Sequence, residues 1–265
     1  MTGTLLAVVA AALYIAGAWR QWQTARGAAP SARGQLLSLT GAGALFHLAS
    51  LSFTFITPQG PNLAMFQVGS LISLVVVLLL LFSAWKKPVD NLFIGLVPMA
   101  AVIALIAASV DHHVFISNVS YALVWHILLS ILAFSLFTIA SVQAILVMLQ
   151  DQQLRQHKTR GLLRSLPPLQ TMDALLFEMI WLGIILLSAA FAIGWPVVVD
   201  LKAQHLVHKV AFATIGWAVF ATLLFGRYRF GWRGPVAGKW TITGTAFLIL
   251  AYFGSQFVLE YILAR

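Results

Sequence analysis

Thirty consecutive residues, Tyr121 to Gln150, carry no charged side chain, and no other feature restricts the possible folds of this chain so strongly. A helix crosses the hydrocarbon core of a bilayer with about 20 apolar residues, so the run YALVWHILLSILAFSLFTIASVQAILVMLQ is more than long enough. Its polar members are few. Trp125 and His126 come near the start, Ser130 follows a turn later, and Ser135, Thr138 and Ser141 recur at spacings of three. An ionisable residue inside such a segment is by default a functional candidate whose partner has to be found.

Composition extends this reading to the whole chain. Of 265 residues 61% are apolar and only 9% charged, whereas a soluble domain carries about a quarter charged residues. The chain reads as an all-α, polytopic membrane helix bundle, a single integral membrane domain over residues 1–265. Eight windows approach spanning length: Thr4 to Trp19, Gln35 to Ile56, Ala64 to Trp85, Leu92 to Val110, the opening run, Ala174 to Val198, Leu206 to Phe225 and Trp240 to Leu263. Met1 to Tyr14 resembles a signal peptide only superficially. It lacks a positive n-region and its basic residues follow the apolar run, so it reads as a retained helix. The chain has no cysteine, which excludes disulfides, thiolate metal sites, iron–sulfur clusters and covalent c-type haem attachment.

The net charge of +9 could suggest a nucleic-acid partner, but its distribution argues for a membrane. Thirteen of the sixteen Lys and Arg fall in alternate loops: Arg20, Arg26, Arg33; Lys86, Lys87; Arg155, Lys158, Arg160, Arg164; Arg227, Arg229, Arg233, Lys239. Lys202, Lys209 and Arg265 fall on the other side. The positive-inside rule puts the basic loops in the cytoplasm and both termini on the outer, periplasmic side of a bacterial inner membrane. Anionic lipid is partner enough for such loops, and no nucleic acid is needed. The longest loop, Asp151 to Gln170, is too short to fold alone and reads as a hinge or docking segment. No internal repeat, phosphate-binding loop or nucleotide fold is evident.

Depth sorts the seven histidines. His157 belongs to a cytoplasmic loop; His112, His113 and His205 to the outer face; His208 to the mouth of the seventh span. His47 lies about 16 Å into the second span, near the midplane, and His126 about 8 Å from the outer end of the fifth. A histidine looking into a helix bundle is how b-type haem is usually held. Two axial ligands share one iron, so their heights should nearly match, which favours His208 over His47 as a companion for His126. Periodicity serves equally well a structural His126, bonded to a serine or carbonyl of another helix. Asp173, Glu178 and Glu260 lie near span ends, where pairing with loop arginines accounts for them, and no carboxylates face each other at mid-membrane. That disfavours a proton-coupled transporter.

Several local patterns together resemble the cytochrome c assembly protein family of membrane haem-handling proteins, in its short eight-span branch. They are Phe46-His47-Leu48; Asn62-Leu63 followed by Val68-Gly69-Ser70-Leu71; Trp125-His126 through Ser130; and Pro167-Pro168-Leu169 leading to Asp173, Gly183 and Gly194-Trp195. Lys209, Trp217, Gly231-Trp232-Arg233-Gly234 and Ala251-Tyr252-Phe253-Gly254 complete the pattern, which covers nearly the whole chain. Of the family's tryptophan-rich loop the chain keeps Trp195, Asp200 and Lys209, and of its expected histidines it clearly keeps His126.

The resemblance implies a non-enzymatic, haem-binding or haem-handling inner-membrane protein that works alongside other membrane proteins. Haem b would lie at the outer leaflet with His126 as axial iron ligand and Trp125 packed against the ring or capping the site. His208 would be the second ligand, with His47 a lesser choice, and Lys209 would meet a propionate, as Lys202 or Arg265 could. The alternative is an accessory subunit or scaffold of the same fold that binds no haem and docks a partner through its basic loops.

Overall fold

The computed structural model describes residues 2–30, 32–58, 60–110, 112–115, 120–156, 165–195 and 207–262. Eight helices among them are long and apolar enough to cross a membrane. Their α-helical parts are α1 (Thr2–Ala25), α2 (Arg33–Phe55), α3 (Met65–Ala84), α4 (Phe93–Ser109), α5 (Tyr121–Arg155), α6 (Leu169–Gly194), α7 (Val207–Phe230) and α8 (Pro235–Ile249), the fourth span running over Asp90–Ser109 and the eighth over Pro235–Ile262. A 3-10 turn, Asp90–Leu92, leads into α4. Two-residue strands, β1 (Ile56–Thr57) and β2 (Gly60–Pro61), close the α2–α3 connection as an antiparallel hairpin. Beyond Ile249, α8 continues through two π-helical segments, Leu250–Gly254 and Val258–Ile262, with Ser255–Phe257 between them.

The helices outrun the apolar windows where hydrogen bonding, rather than hydropathy, sets the boundary. α5 adds Asp151–Arg155, a polar turn carrying its own ion pair, Arg155 Nε to Asp151 Oδ2 at 2.8 Å four residues apart. At the other end Ser120 is the N-cap, its hydroxyl accepting from the Leu123 N–H at 3.2 Å. α8 begins five residues before the expected Trp240, with Pro235 in its first turn, where proline loses no helical hydrogen bond.

By packing, the chain forms two compact units, Met1–Ile116 with His157–Pro167, and Ser117–Gln156 with Pro168–Arg265. Each is a ring of four helices in which neighbours in sequence touch and the first abuts the fourth: α1-α2-α3-α4, and α5-α6-α7-α8.

In the first unit the core is built on α1's small residues, Ala7, Ala10 and Ala18, around the fully buried Tyr14. At its basic end Arg33 holds three elements together. Its guanidinium donates to the carbonyls of Ala84 and Lys87 and pairs with Asp90 (Nε to Oδ1, 3.3 Å), so it satisfies orphan carbonyls where α3 stops.

The second unit packs around Phe137 and Phe220, stacked at 3.9 Å between ring centres with Leu176, Ile180 and Leu223 about them. The polar stripe of α5 is absorbed inside this core. Ser135 and Thr138 donate to carbonyls one turn back, and Ser141 donates to Thr245 Oγ1 of α8 at 2.7 Å.

Candidate functional site

In the first unit, His47 is 1% exposed and has both ring nitrogens engaged: Nε2 lies 2.8 Å from Ser70 Oγ on α3, and Nδ1 3.3 Å from the Tyr14 hydroxyl on α1. A neutral imidazole has one N–H and one lone pair. Both are used, so this histidine ties three helices together. Asn62, fully buried, plays the same part at the hairpin end. Its Oδ1 accepts from the N–H groups of Ala64 and Val114, and its Nδ2 donates to the His112 carbonyl (2.9 Å) and to His113 Nδ1 (3.0 Å). His112 and His113 thereby belong to a loop clasp.

The second unit carries two polar constellations, one at each end. At the basic end the Asp173 carboxylate pairs with Arg227 (2.9 Å) and accepts from the Gly234 N–H (3.1 Å). Arg227 also donates to the Trp232 carbonyl at 3.1 Å and lies over the Phe177 ring. Gly231 and Gly234 take positive φ (68° and 57°), a backbone that other residues rarely adopt. The turn Gly231-Trp232-Arg233-Gly234 is therefore a latch joining α6, α7 and α8. Trp232 continues it by stacking on Trp240, 5.3 Å away.

At the other end stands His126, in the second turn of α5 and half-buried. Its Nδ1 is 2.7 Å from the Ala190 carbonyl of α6. A carbonyl only accepts, so Nδ1 carries the proton and Nε2 keeps its lone pair. Among the described residues Nε2 has no hydrogen-bond partner. Gly194, in the same turn of α6 that ends the helix, lets the ring lie against the backbone: a Cβ at this position would collide with Nδ1 and Cε1 of the imidazole. A histidine held by an Nδ1–H···O=C bond, with Nε2 left open, is the usual arrangement of a metal-ligating imidazole.

Around it the same end of the unit is rich in large rings. Trp125 is 58% and Trp195 78% exposed. His208 is exposed in the first turn of α7, and next to it the Lys209 ammonium lies 4.8 Å above the Tyr252 ring of α8. Glu260 is buried in the second π-helical segment. Trp217 donates from Nε1 to Ser188 Oγ at 2.8 Å across α7 and α6. His157, His205, Asp200, Lys202 and Arg265 lie outside the described residues. Among the described ones, no three His, Asp or Glu gather as a metal cluster, so an iron held by His126 would need the macrocycle as its main ligand.

Sequence reasoning singled out His126, Trp125, His208, His47 and Lys209. All but His47 lie in the second unit, where His126 meets the Ala190 carbonyl and the Gly194 backbone. Gly194 was in view as part of Gly194-Trp195, but its purpose needs the neighbouring helix.

Eight helices long and apolar enough to span a bilayer define a polytopic membrane protein, and comparison with known proteins gives its family. The cytochrome c assembly protein family matches residues 36–263, and the chain belongs to it. Inner membrane protein YpjD of Escherichia coli K12 is 28% identical over 206 residues, 77% of this chain and 78% of that protein. Protein HemX of Brevibacillus brevis is 26% identical over about half of each chain (51% and 50%), and an uncharacterized 28.8 kDa protein of Azospirillum brasilense is 28% identical over 52% of each. No solved structure matches. The protein is a multi-pass inner-membrane protein.

Proposed function

We propose that this protein binds haem b non-enzymatically, as a haem-handling member of its family, with His126 as an axial ligand. One observation carries the reading: the Nδ1–H bond to the Ala190 carbonyl fixes the tautomer and leaves Nε2 open on a half-buried ring. Family membership supports it, since cytochrome c assembly proteins are haem-associated. The bound group would supply a redox-active iron for His126 to ligate. The chain's own contribution is a ligand whose orientation and basicity are set by its second hydrogen bond.

Trp125 would cover the ring at the lipid–water boundary, where tryptophan is favoured. His208, exposed in the same unit, is the second ligand in this reading, and Lys209 the partner of a propionate. His47 is assigned a structural role, because its two nitrogens are already bonded. The basic loops are assigned to the cytoplasmic side, and both termini to the periplasm.

The test is an absorption spectrum of the detergent-purified protein with a pyridine haemochrome assay, beside His126→Ala. The expected result is a Soret band near one haem per chain, lost in a variant with unchanged helical circular dichroism. A wild type that stays colourless when haem is supplied would overturn the assignment. His126 would then be the histidine that seats α5 on α6, in a scaffold that works through its cytoplasmic loops.

A further inference from the structure

Of the seams in the second ring, that between α6 and α7 is the open one. It leaves a groove of about 600 Å³, with Trp181, Ile185 and Ser188 on one wall and Leu224, Phe225 and Tyr228 on the other. Its edges face outward: Trp181 is 54%, Phe225 61% and Tyr228 91% exposed. Nearly all the lining is apolar, as an acyl chain requires. Of its two hydroxyls, that of Ser188 already donates to the Ile184 carbonyl and accepts from Trp217, and that of Tyr228 stands at the groove's end.

The charge lies at one end. Position 229 is one turn beyond Phe225 on the same stripe of α7, so Arg229 continues the groove wall past Tyr228. Arg229 is exposed, and no carboxylate among the described residues pairs with it. Arg227, beside it, is already committed to Asp173. The other acid of α6, Glu178, has an interaction of its own. Counted from the Asp173–Arg227 pair, it lies about 10 Å further along the bundle than Arg229, at 1.5 Å of rise per residue.

We propose that the α6–α7 groove binds an anionic phospholipid, with an acyl chain between Trp181, Ile185, Leu224 and Phe225 and the phosphate at Tyr228 and Arg229. An apolar slot that ends in a guanidinium and a phenol suits a molecule with a hydrocarbon tail and a net negative head. A zwitterionic lipid would fill the slot equally well but would bring an ammonium group to a cluster of arginines. This proposal is independent of haem binding.

Trp181 reports directly on the slot. The protein is reconstituted in phosphatidylcholine vesicles containing phosphatidylglycerol, with dibrominated chains on one lipid at a time, and the Trp181 signal is taken as wild type minus Trp181→Phe. Quenching by brominated phosphatidylglycerol should exceed that by an equal fraction of brominated phosphatidylcholine about threefold or more. The ratio should fall towards one in Arg229→Gln, fall part-way in Tyr228→Phe, and hold in Arg233→Gln, where the charge sits on the turn before α8. A ratio near one in the wild type would overturn the proposal. So would an equal fall in Arg233→Gln, because attraction would then be a property of the whole basic surface.

Discussion

A hydrogen bond to one nitrogen of a histidine decides what the other can do, and the two intramembrane histidines show both outcomes. His47 is bonded at both ends and is a joint; His126 is bonded at one end and keeps a lone pair. Gly194→Ala should displace the His126 ring, since an added Cβ meets it directly. Overpacking of this kind costs about 1–3 kcal/mol. A thermal melt should show that cost, and the Soret band expected from the proposed haem site should weaken together with it. His47→Ala should leave the haem spectrum intact while lowering the melting temperature, because it removes a buried side chain and two hydrogen bonds, on the order of 2–4 kcal/mol. Loss of haem in His47→Ala with an unshifted melt would reverse the roles assigned to the two residues. Asn62→Ala belongs with His47: it strands the N–H groups of Ala64 and Val114, and about 1–3 kcal/mol should go with it, read as a lower unfolding midpoint with spectra otherwise unchanged.

Helices in lipid are placed by small residues and by polar ties between them, and here the ties join the patterns by which the family is recognised. His47 meets Ser70, Asp173 meets the Gly234 end of the Gly-Trp-Arg-Gly turn, and Lys209 meets Tyr252. Each partner stands in a different local pattern, 23, 61 and 43 positions away in the chain. Sequence reading could therefore find the patterns but not their pairing. Hydropathy located all eight helices, because twenty apolar residues in lipid have few alternatives to a helix. It misplaced several ends, where polar residues such as Asp151 and Arg155 continue a helix past the apolar window. The latch at the basic end of α6, α7 and α8 gives an element-scale test. Asp173→Ala leaves Arg227 without its carboxylate and the Gly234 N–H without its acceptor. Breaking a buried pair costs about 3–5 kcal/mol. Arg227 keeps about a third of its side chain exposed, so about 2–3 kcal/mol is expected. The melt should fall accordingly, and Asp173→Asn, which can still accept from Gly234, should recover part of the loss.

At the scale of the molecule, charge distribution predicts sidedness through the positive-inside rule. The chain has no cysteine, so single introduced thiols can map it without interference. Ala28→Cys, exposed between α1 and α2, should resist a membrane-impermeant maleimide in intact spheroplasts and react after lysis. Ile56→Cys, 71% exposed at the hairpin, should react before lysis. The opposite pattern would invert the orientation and place His126 on the cytoplasmic face. The division into two rings of four also bears on how such a chain can change. A block with an even number of crossings returns to the side from which it started. Each ring also brings its own topogenic signal, Arg20, Arg26, Arg33, Lys86 and Lys87 in the first, and Arg227, Arg229, Arg233 and Lys239 in the second. A gene encoding these blocks could gain, lose or exchange one of them without turning the remaining one upside down.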